Sequence, residues 1–262
     1  MIVLKSPREI ARMREAGRLV AGAIDCAAHL IRPGVATREL DLAIENVFRE
    51  AGAEALFKGV RGKVPFPAAS CISVNDEVVH GIPGERVLNA GDLVSIDTAC
   101  RLAGWCADSA WTFPVGRVDE EKSRLLTLGQ NVLELALTEI GRQARWSAVA
   151  TLMSDAVHKA GFSVVEDLVG HGIGREMHED PQVPNYVSDS LRQADFALEP
   201  GLVLAIEPMI NAGSRRTRTS KKDHWTVRTE DGQPSVHFEH TVALTEAGPL
   251  VLTLSESDRP GA

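Results

Sequence analysis

A helical pattern that occurs twice in the chain places the strongest constraint on the fold. Apolar residues recur at steps of three and four from Ile10 to Ile31, and a second helical stripe ends at Gly52. An offset of 109 residues, from Gly52 to Gly161, superposes this pair of helices on a later pair. The matched positions are Ile31 with Ile140, Ile44 with Met153, Phe48 with Val157, Ala51 with Ala160 and Gly52 with Gly161. The sequence therefore predicts two similar helix pairs, as an internal duplication would produce.

Polar residues in front of the apolar stripes predict where each helix begins. Ser6-Pro7-Arg8-Glu9 has the spacing of a capping box, with proline at the first helical position. Thr37, Asp119 and Ser147 stand in front of the other three stripes, and we expect each of them to cap a helix.

Segments with strand-like patterns follow each helix pair. They cover residues 71–79, 92–100, 105–115, 203–210 and 236–244. Helices followed by strands, twice over, predict an α+β fold in which helices cover one face of an antiparallel sheet. No linker rich in Pro, Gly or Ser separates the halves, so we expect one domain over residues 1–262 with a loose tail from about residue 257.

Charge and composition exclude several classes of protein. The chain has 28 Lys and Arg against 36 Asp and Glu, a formal charge of −8, which argues against a protein that grips duplex DNA over its whole surface. Four cysteines without a CxxC pattern are too few for a disulfide framework. No signal-peptide pattern begins the chain, and no run of about 18 apolar residues occurs. We expect a cytoplasmic protein with neither a membrane nor DNA as a partner.

Two aspartates lie in a predicted hairpin. Asp97 and Asp108 are centred on a turn within residues 101–104, so a symmetric hairpin would place them directly opposite each other. Like charges in that position destabilise a sheet, and something positive should lie between them. The alternative is an asymmetric turn with both carboxylates on the surface.

Three further residues offer the same chemistry. Glu207 and Glu239 occur within apolar strand patterns, and His171 lies between glycines in Gly170-His171-Gly172-Ile173-Gly174. Buried carboxylates need a proton, a counter-ion or a metal, whereas edge-strand glutamates and an incidental loop histidine would need nothing. Two Asp, two Glu and one His together suit a pair of divalent ions of the Mn²⁺ or Fe²⁺ type, a ligand set typical of hydrolases.

Six motifs across the chain resemble the type I methionine aminopeptidases. Only 29 positions separate His178 from Glu207, which leaves no room for the helical insertion of the type II branch, so the chain looks like the short bacterial form. The motifs are Val79–Pro83, the pair Asp97 and Asp108, Gly170–Gly174, His178–Pro181, Ile206–Met209 and Phe238–Thr241.

The resemblance implies the pita-bread fold, in which two pseudo-symmetric halves enclose two divalent metal ions (Co, Mn, Fe, Zn or Ni). It also implies a role for each site residue. Asp97 would chelate one ion, His171 and Glu207 the other, and Asp108 and Glu239 would bridge both. Glu207 would also transfer a proton to the leaving amine, His178 would bond to the scissile carbonyl, and His80 would contact the scissile amide nitrogen.

The same resemblance implies an apolar pocket for the methionine side chain. Its residues would be Phe66, Cys71, Met177 and Trp225. Four positions depart from the family pattern and put the shape of the pocket and the rate in doubt: Lys63, Met177, Cys106 and Ala110.

The implied activity is removal of the N-terminal methionine from nascent proteins whose second residue is small, by a monomer. Prolidases and proline-specific aminopeptidases share the fold and ligands but normally carry an extra N-terminal domain. A non-catalytic pita-bread protein would be expected to lose ligands, and none is lost here. A two-metal phosphatase would need a phosphate cradle, which the sequence lacks.

A basic segment contrasts with the acidic remainder of the chain. Between Ser214 and Arg228, Asp223 is the sole acidic residue. A charge run of this kind is usually a solvated loop. The alternative is a weak contact with RNA phosphates at the ribosome exit-tunnel surface, which would deliver new N-termini to the site. The residues expected to make that contact are Arg215, Arg216, Arg218, Lys221 and Lys222.

Overall fold

The computed structural model describes residues 1–254, so the predicted loose tail lies outside the described residues. Four long helices occur in two pairs, as the sequence pattern predicts. They are α1 (Pro7–Ala28) with α2 (Thr37–Glu50), and α3 (Glu120–Glu139) with α4 (Trp146–Lys159), followed by the short α5 (Asp189–Ala194). Within the described residues, no helix is both long and apolar enough to cross a membrane.

The 109-residue repeat is confirmed in the helix boundaries. Offset by that number, the first and last residues of α2 fall on those of α4. The glycines that follow, Gly52 and Gly161, both adopt positive φ angles, of 67° and 84°. Glycine takes this conformation without the steric cost that a side chain imposes, which explains why both helices end where they do.

Two of the four predicted caps are confirmed. The Glu9 carboxylate accepts hydrogen bonds of 2.8 Å from the backbone N–H and the hydroxyl of Ser6. At the start of α3, Asp119 accepts a 2.8 Å bond from the backbone N–H of Lys122. These local bonds satisfy polar groups at the first turn of each helix.

The other two cap predictions are wrong, by one residue for Thr37 and by two residues for Ser147. Thr37 is the first helical residue of α2, and its hydroxyl bonds instead to the backbone of Gly84. Ser147 lies inside α4, where its hydroxyl donates a 2.7 Å bond to Asp195. In both cases a distant segment binds the side chain that would otherwise cap the helix.

Nine strands of the described chain form one antiparallel sheet, in the order β1-β4-β5-β14-β9-β7-β8, with β2 also paired to β4 and β15 to β14. Two three-stranded sheets, β13-β10-β6 and β11-β12-β3, complete the α+β architecture. The strand bounds are β1 (Glu54–Ala55), β2 (Cys71–Val74), β3 (Glu77–Val79), β4 (Leu93–Leu102), β5 (Trp105–Pro114), β6 (Ser163–Val164), β7 (Gly170–Gly172), β8 (Glu179–Val183), β9 (Val203–Ile206), β10 (Met209–Asn211), β11 (Thr217–Thr219), β12 (Val227–Thr229), β13 (Ser235–His237), β14 (Glu239–Thr245) and β15 (Gly248–Val251).

The helices cover one face of the large sheet. Residues of α1 and α2 pack against Val94, Ile96 and Cys100 of β4. Residues of α3 and α4 form a second buried cluster with β9 and β14. Trp111 packs against both clusters and connects the two helix pairs beneath the sheet. The face opposite the helices is left for polar side chains.

A two-residue turn joins β4 to β5. Leu102 pairs with Trp105, and the residues between them, Ala103 and Gly104, have φ angles of 50° and 81°. Positive φ at both central positions is typical of a type I′ turn, which matches the natural twist of paired strands.

This turn is centred one residue later than predicted, which shifts the pairing register by two residues. Asp97 pairs with Ala110, and Asp108 pairs with Ala99, so the two aspartates are not directly opposite each other. Paired residues share a face of the sheet, and side chains alternate along each strand. Asp97 and Asp108 therefore lie on the same face as diagonal neighbours.

The halves meet where β5 pairs with β14. Their pairing covers Glu239 with Ala110 and His240 with Ser109. Hydroxyl groups extend this β5–β14 junction: Ser109 donates a 2.6 Å bond to the carbonyl of Glu239, and Thr241 donates a 2.8 Å bond to the carbonyl of Asp108. The inner strands of the two halves are thereby joined edge to edge.

Candidate metal centre

Pairing across four strands places two carboxylates in one row. Cys71 of β2 pairs with Asp97, Asp97 pairs with Ala110, and Ala110 pairs with Glu239 of β14. Because paired residues share a face, these side chains project from the same surface, opposite the helices. Ala110 separates the two carboxylates with a methyl group.

Both glutamates lie where the chain passes from the large sheet to a small one. The segments predicted as continuous strands are interrupted: β9 ends at Ile206 and β10 begins at Met209, while β13 ends at His237 and β14 begins at Glu239. Pro208 has no N–H to continue the ladder, which accounts for the first break. Glu207 therefore lies outside a regular strand, and the direction of its side chain is not set by strand alternation.

His171 faces these carboxylates from β7. Its Nε2 atom lies 3.7 Å from Oε1 of Glu207 and 4.0 Å from Oδ2 of Asp108. Its Nδ1 atom lies 2.9 Å from the carbonyl oxygen of Gly172. A carbonyl can only accept, so Nδ1 carries the proton and the lone pair of Nε2 points toward the carboxylates.

Burial opposes the charge of all four carboxylates. It raises the pKa of Asp97 well above its ordinary value, and the neighbouring charges of Asp108 and Glu207 raise that pKa further. Burial also raises the pKa of Asp108 to about 7. The pKa values of Glu207 and Glu239 are raised well above normal by burial and then by nearby carboxylates.

The donor atoms fit a divalent cation. Ligand atoms of Asp108, His171 and Glu239 lie within 4.8 Å of one another. Oδ1 of Asp97, Oδ1 of Asp108 and Oε1 of Glu239 are buried and have no hydrogen-bond partner among the described residues. Carboxylate oxygens that are buried and unpaired need a positive charge, and none of the residues that line the cavity is Lys or Arg.

Two more predicted site residues border the same cavity. The rings of His171 and His178 are 4.3 Å apart, centroid to centroid. His80 adopts a φ of 58° at the end of β3, and burial, followed by the charge of His178, lowers its pKa to about 4. Both imidazoles therefore lie where they can contact a ligand that enters the cavity.

Apolar side chains form the opposite wall of this cavity of about 250 Å³. The Phe66 and Trp225 rings meet edge to face at 5.3 Å, and the indole N–H of Trp225 donates a 2.7 Å bond to the carbonyl of Val64. The structure places all four predicted pocket residues in the wall: Phe66, Cys71, Met177 and Trp225.

The four departures from the family pattern occupy different places. Met177 lines the cavity, and Ala110 lies in the carboxylate row. Lys63 is exposed and does not line the cavity. Cys106 is buried away from it, where its thiol donates a 3.2 Å bond to the carbonyl of Arg175. Three of the four departures therefore lie outside the cavity wall.

The structure brings the five predicted basic residues together on and beside the β11–β12 hairpin, and all five are exposed. Arg215 pairs with Glu166 at 2.7 Å, and Arg216 approaches Glu230 at 3.8 Å. In the described part of the chain, ion pairs are absent from the remaining three: Arg218, Lys221 and Lys222.

Sequence reasoning missed one histidine of this site. His237 is 2% exposed and lines the cavity, with its Nε2 atom 3.6 Å from Oε2 of Glu207. Burial, followed by the charge of His80, lowers its pKa to about 3. Its position two residues before Glu239 in an apolar segment was the available signal, because period-two alternation places both on one face.

The chain is similar to known proteins over most of its length. A family model described as metallopeptidase family M24 matches residues 11–246. Methionine aminopeptidase 1 of Bacillus subtilis (strain 168) is 46% identical over 253 residues, which cover 97% of this chain and 99% of that protein. The methionine aminopeptidase of Escherichia coli (strain K12) is 38% identical over 259 residues, which cover 98% of this chain and 96% of that protein.

Solved structures agree with these likenesses. The crystal structure of methionine aminopeptidase from Thermotoga maritima has a TM-score of 0.91 and 39% sequence identity, and the match covers 97% of this chain and 99% of that one. Prolidase from Pyrococcus furiosus has a TM-score of 0.77 at 22% identity, with 97% of this chain and 66% of that chain covered, a likeness that shows the fold alone. The predicted α+β pita-bread fold is confirmed.

Proposed function

We propose that this chain, which belongs to metallopeptidase family M24 and within it to the methionine aminopeptidases, removes the N-terminal methionine from nascent polypeptides whose second residue is small. The observation that carries the proposal is the meeting of four carboxylates, three of them buried and Glu207 partly buried, with one imidazole beside an apolar pocket. Acidic groups supply metal ligands there, and the pocket supplies a place for an apolar side chain.

The residues proposed to hold the metal come from both halves of the chain. Membership of the family implies a divalent metal, and we extend this to a pair of ions, each Co, Mn, Fe, Zn or Ni. Bound divalent ions would activate a water molecule and polarise the scissile carbonyl. The proposed ligands are Asp97, Asp108, His171, Glu207 and Glu239.

Three side chains are proposed to act on the peptide itself. The carboxylate of Glu207, whose pKa is raised by burial, holds the proton released by the attacking water and passes it to the leaving amine. His178 donates a hydrogen bond to the oxygen of the scissile carbonyl, and His80 contacts the nitrogen of the scissile amide. Their place at the border of the cavity supports these roles.

The apolar wall is proposed to select methionine. An unbranched thioether packs well against the rings of Phe66 and Trp225 and against the sulfur atoms of Cys71 and Met177. The cavity of about 250 Å³ leaves little space beyond the scissile bond. Met should therefore be preferred over Leu at the first position, and Gly, Ala or Ser at the second.

A peptide-release assay tests this function. We expect the protein loaded with Mn²⁺ or Co²⁺ to release Met from a Met-Gly peptide much faster than from a Met-Trp peptide, and a chelator to abolish release. Xaa-Pro peptides should be poor substrates. Equal rates for Met-Gly and Met-Trp would contradict the enclosed site. Faster cleavage of Xaa-Pro would favour the prolidase-type activity, and an absence of hydrolysis with metal bound would favour a binding protein.

The β11–β12 hairpin, with its exposed basic residues, is proposed to contact RNA phosphate at the ribosome exit-tunnel surface. The enzyme is proposed to act as a monomer. β12 pairs with β3, which leads directly into His80, so the hairpin is attached at the border of the cavity. Arg218, Lys221 and Lys222 are exposed and make no ion pair in residues 1–254, which leaves their charges available for phosphate.

Charge reversal separates this contact from catalysis. Changing Arg218, Lys221 and Lys222 to Glu should abolish co-sedimentation with ribosomes at low salt while hydrolysis of a free tripeptide continues. Changing Arg215 and Arg216 should have a smaller effect, because acidic neighbours already offset their charges. If the parent protein never sediments with ribosomes at low salt, or the triple variant still does, the hairpin is a solvated surface.

A further inference from the structure

The two oxygens of the Glu207 carboxylate each face a different imidazole. Oε1 lies 3.7 Å from Nε2 of His171, and Oε2 lies 3.6 Å from Nε2 of His237. The proposed function uses His171 and Glu207 as ligands of one ion and gives His237 no role. A buried imidazole beside the residue that moves the proton is therefore unexplained.

The backbone of His237 is held firmly. Its N–H donates a 2.9 Å bond to the hydroxyl of Thr112, and that hydroxyl donates a 2.8 Å bond to the carbonyl of His237. His237 also pairs with Met209 between β13 and β10. These bonds fix the backbone from which the ring projects toward Glu207.

The ring has no partner elsewhere in the described chain. Both nitrogens of His237 are buried and make no hydrogen bond to residues 1–254. A neutral imidazole offers one donor and one acceptor, and a carboxylate oxygen can only accept. Leaving the donor unpaired in the interior is costly, and the oxygen of Glu207 is the partner that removes this cost.

We propose that His237 is a positioning residue, whose Nε2–H donates to Oε2 of Glu207 and leaves Oε1 for the metal ion that His171 also binds. The separation of 3.6 Å exceeds a hydrogen bond, and a shift of about 0.7 Å brings it to the usual length. Groups that hold metal-bound carboxylates in this way typically contribute 10–100-fold to metal affinity. The inference rests on the proposed function, because it takes Glu207 as a ligand.

Direct ligation by His237 is the competing role, and the geometry favours donation. His171 lies within 4.0 Å of two carboxylates, Asp108 and Glu207, whereas in the described chain His237 comes that close to Glu207 alone. His237 instead approaches the carboxylate from the side away from His171.

Two substitutions in the full chain test the proposal. His237→Gln keeps a neutral N–H donor at similar reach, and His237→Leu keeps the bulk without the donor. We expect the Leu variant to bind Mn²⁺ 10–100-fold more weakly by calorimetric titration, with the number of ions per chain unchanged. The Gln variant should restore affinity. Turnover of a Met-Gly peptide should fall in the Leu variant through kcat, with KM little changed.

His240→Gln is the matched control, because His240 is buried on the neighbouring strand and bonds to the hydroxyl of Thr253 at 2.9 Å. This control should lower the melting temperature and leave Mn²⁺ affinity near that of the parent. If the Leu variant does not fold, His237→Asn, whose amide is too short to reach Glu207, replaces it with the same expectation.

Three outcomes decide the matter. Parent-like Mn²⁺ affinity in the Leu variant overturns the inference. Loss of one ion per chain in both variants, with an altered Co²⁺ absorption spectrum, makes His237 a ligand and also overturns it. A parent protein that binds no divalent ion and hydrolyses no Met-Gly peptide contradicts the proposed function itself, a result that is recognised before any variant is made.

Discussion

The aspartates of the first half lie on strands joined by a two-residue turn, whereas the strands beside the glutamates of the second half, β9 and β14, are separated by residues 207–238. In the first half a local turn therefore sets the spacing of the two carboxylates. In the second half, Glu207 and Glu239 are brought together by the pairing of β9 with β14 and by the transfer of the chain between sheets.

The longer connection carries groups for which the hairpin has no counterpart. Trp225 and His237 lie within it, as does the basic segment. The comparison teaches that matched strands supply the proposed ligands from each half, while the inserted segment of the second half adds groups suited to a substrate or partner. Five predictions test this division.

Removing one proposed bridging carboxylate from either half should have the largest effect. Asp108→Ala and Glu239→Ala should both abolish peptide hydrolysis and leave at most one ion bound, because each carboxylate is expected to contact both ions. Metal content by mass spectrometry and a Met-Gly release assay measure this. Full activity with two ions in either variant would break the equivalence of the halves.

Replacing His178 should have a smaller effect, since this side chain is proposed to serve the substrate and not the metal. His178→Ala should lower kcat by about 10²–10³, as loss of one oxyanion donor typically does. Metal content should match that of the parent. A rate within a factor of about two would remove His178 from the mechanism.

A partly buried ion pair holds the loop of the second half that carries His178. Nζ of Lys5 lies 2.6 Å from Oε2 of Glu179, and the Lys5 side chain is 4% exposed. The Glu179 side chain is 19% exposed, so the cost of breaking the pair falls between the buried and exposed cases, and Lys5→Met should lower the free energy of unfolding by about 2 kcal/mol in denaturant titration. Lys58→Met, which removes an exposed pair with Glu45 in the first half, should cost about 0–1 kcal/mol.

The contribution of Glu179 to the free energy of unfolding should depend on pH. Burial opposes its charge, but the bond from Lys5 and two backbone N–H groups outweigh this effect, and the pKa is lowered. A lowered folded-state pKa stabilises the protein above the ordinary pKa of the group, and the stabilisation is lost as pH falls through the lowered value. The difference between the parent and Lys5→Met should therefore shrink below pH 4.5, the ordinary value. A difference that grows on acidification would contradict this sign.

The smallest effect belongs to the turn of the first half. Ala103 holds a φ of 50°, which costs an L-residue about 1–2 kcal/mol, so Ala103→Gly should raise the free energy of unfolding by up to about 1 kcal/mol. Gly104→Ala should lower the free energy of unfolding, because Gly104 has a φ of 81° that alanine adopts only with strain. Thermal unfolding measures both, and hydrolysis should change little. Equal shifts of the same sign would show that turn conformation does not matter here.

Local sequence patterns predicted the helices well. The predictions that failed were those that depended on contacts between residues far apart in the sequence. The 109-residue repeat and the Ser6 cap depend on neighbours in sequence. The predicted register of Asp97 and Asp108 was wrong by two residues, because the turn is centred on Ala103 and Gly104 and Ala103 takes a conformation that alanine rarely adopts. Thr37 and Ser147 were assigned as caps because their distant partners were not visible in the sequence.

For the candidate site, too, local patterns were informative and long-range contacts could not be predicted. Alternation within a strand indicated buried carboxylates, but it could not say which of them meet across strands, so the ligand set depended on the family resemblance. His237 was not predicted as a site residue, because the contact that gives it a role is with Glu207, which lies 30 positions earlier in the chain. Its alternation with Glu239 indicates which face it occupies, but the contact with Glu207 itself has no local signature.

The β5–β14 junction has a consequence for thermodynamic linkage. The two halves pair there over only two residue positions, and the proposed ligands lie on both sides of it. An ion held by ligands from both sides binds the folded chain and not the unfolded one, so its concentration enters the folding equilibrium. At 100 times its Kd such an ion adds about 2.7 kcal/mol to the free energy of unfolding. The lifetime of this protein in a cell would then follow the local supply of metal as well as its own sequence.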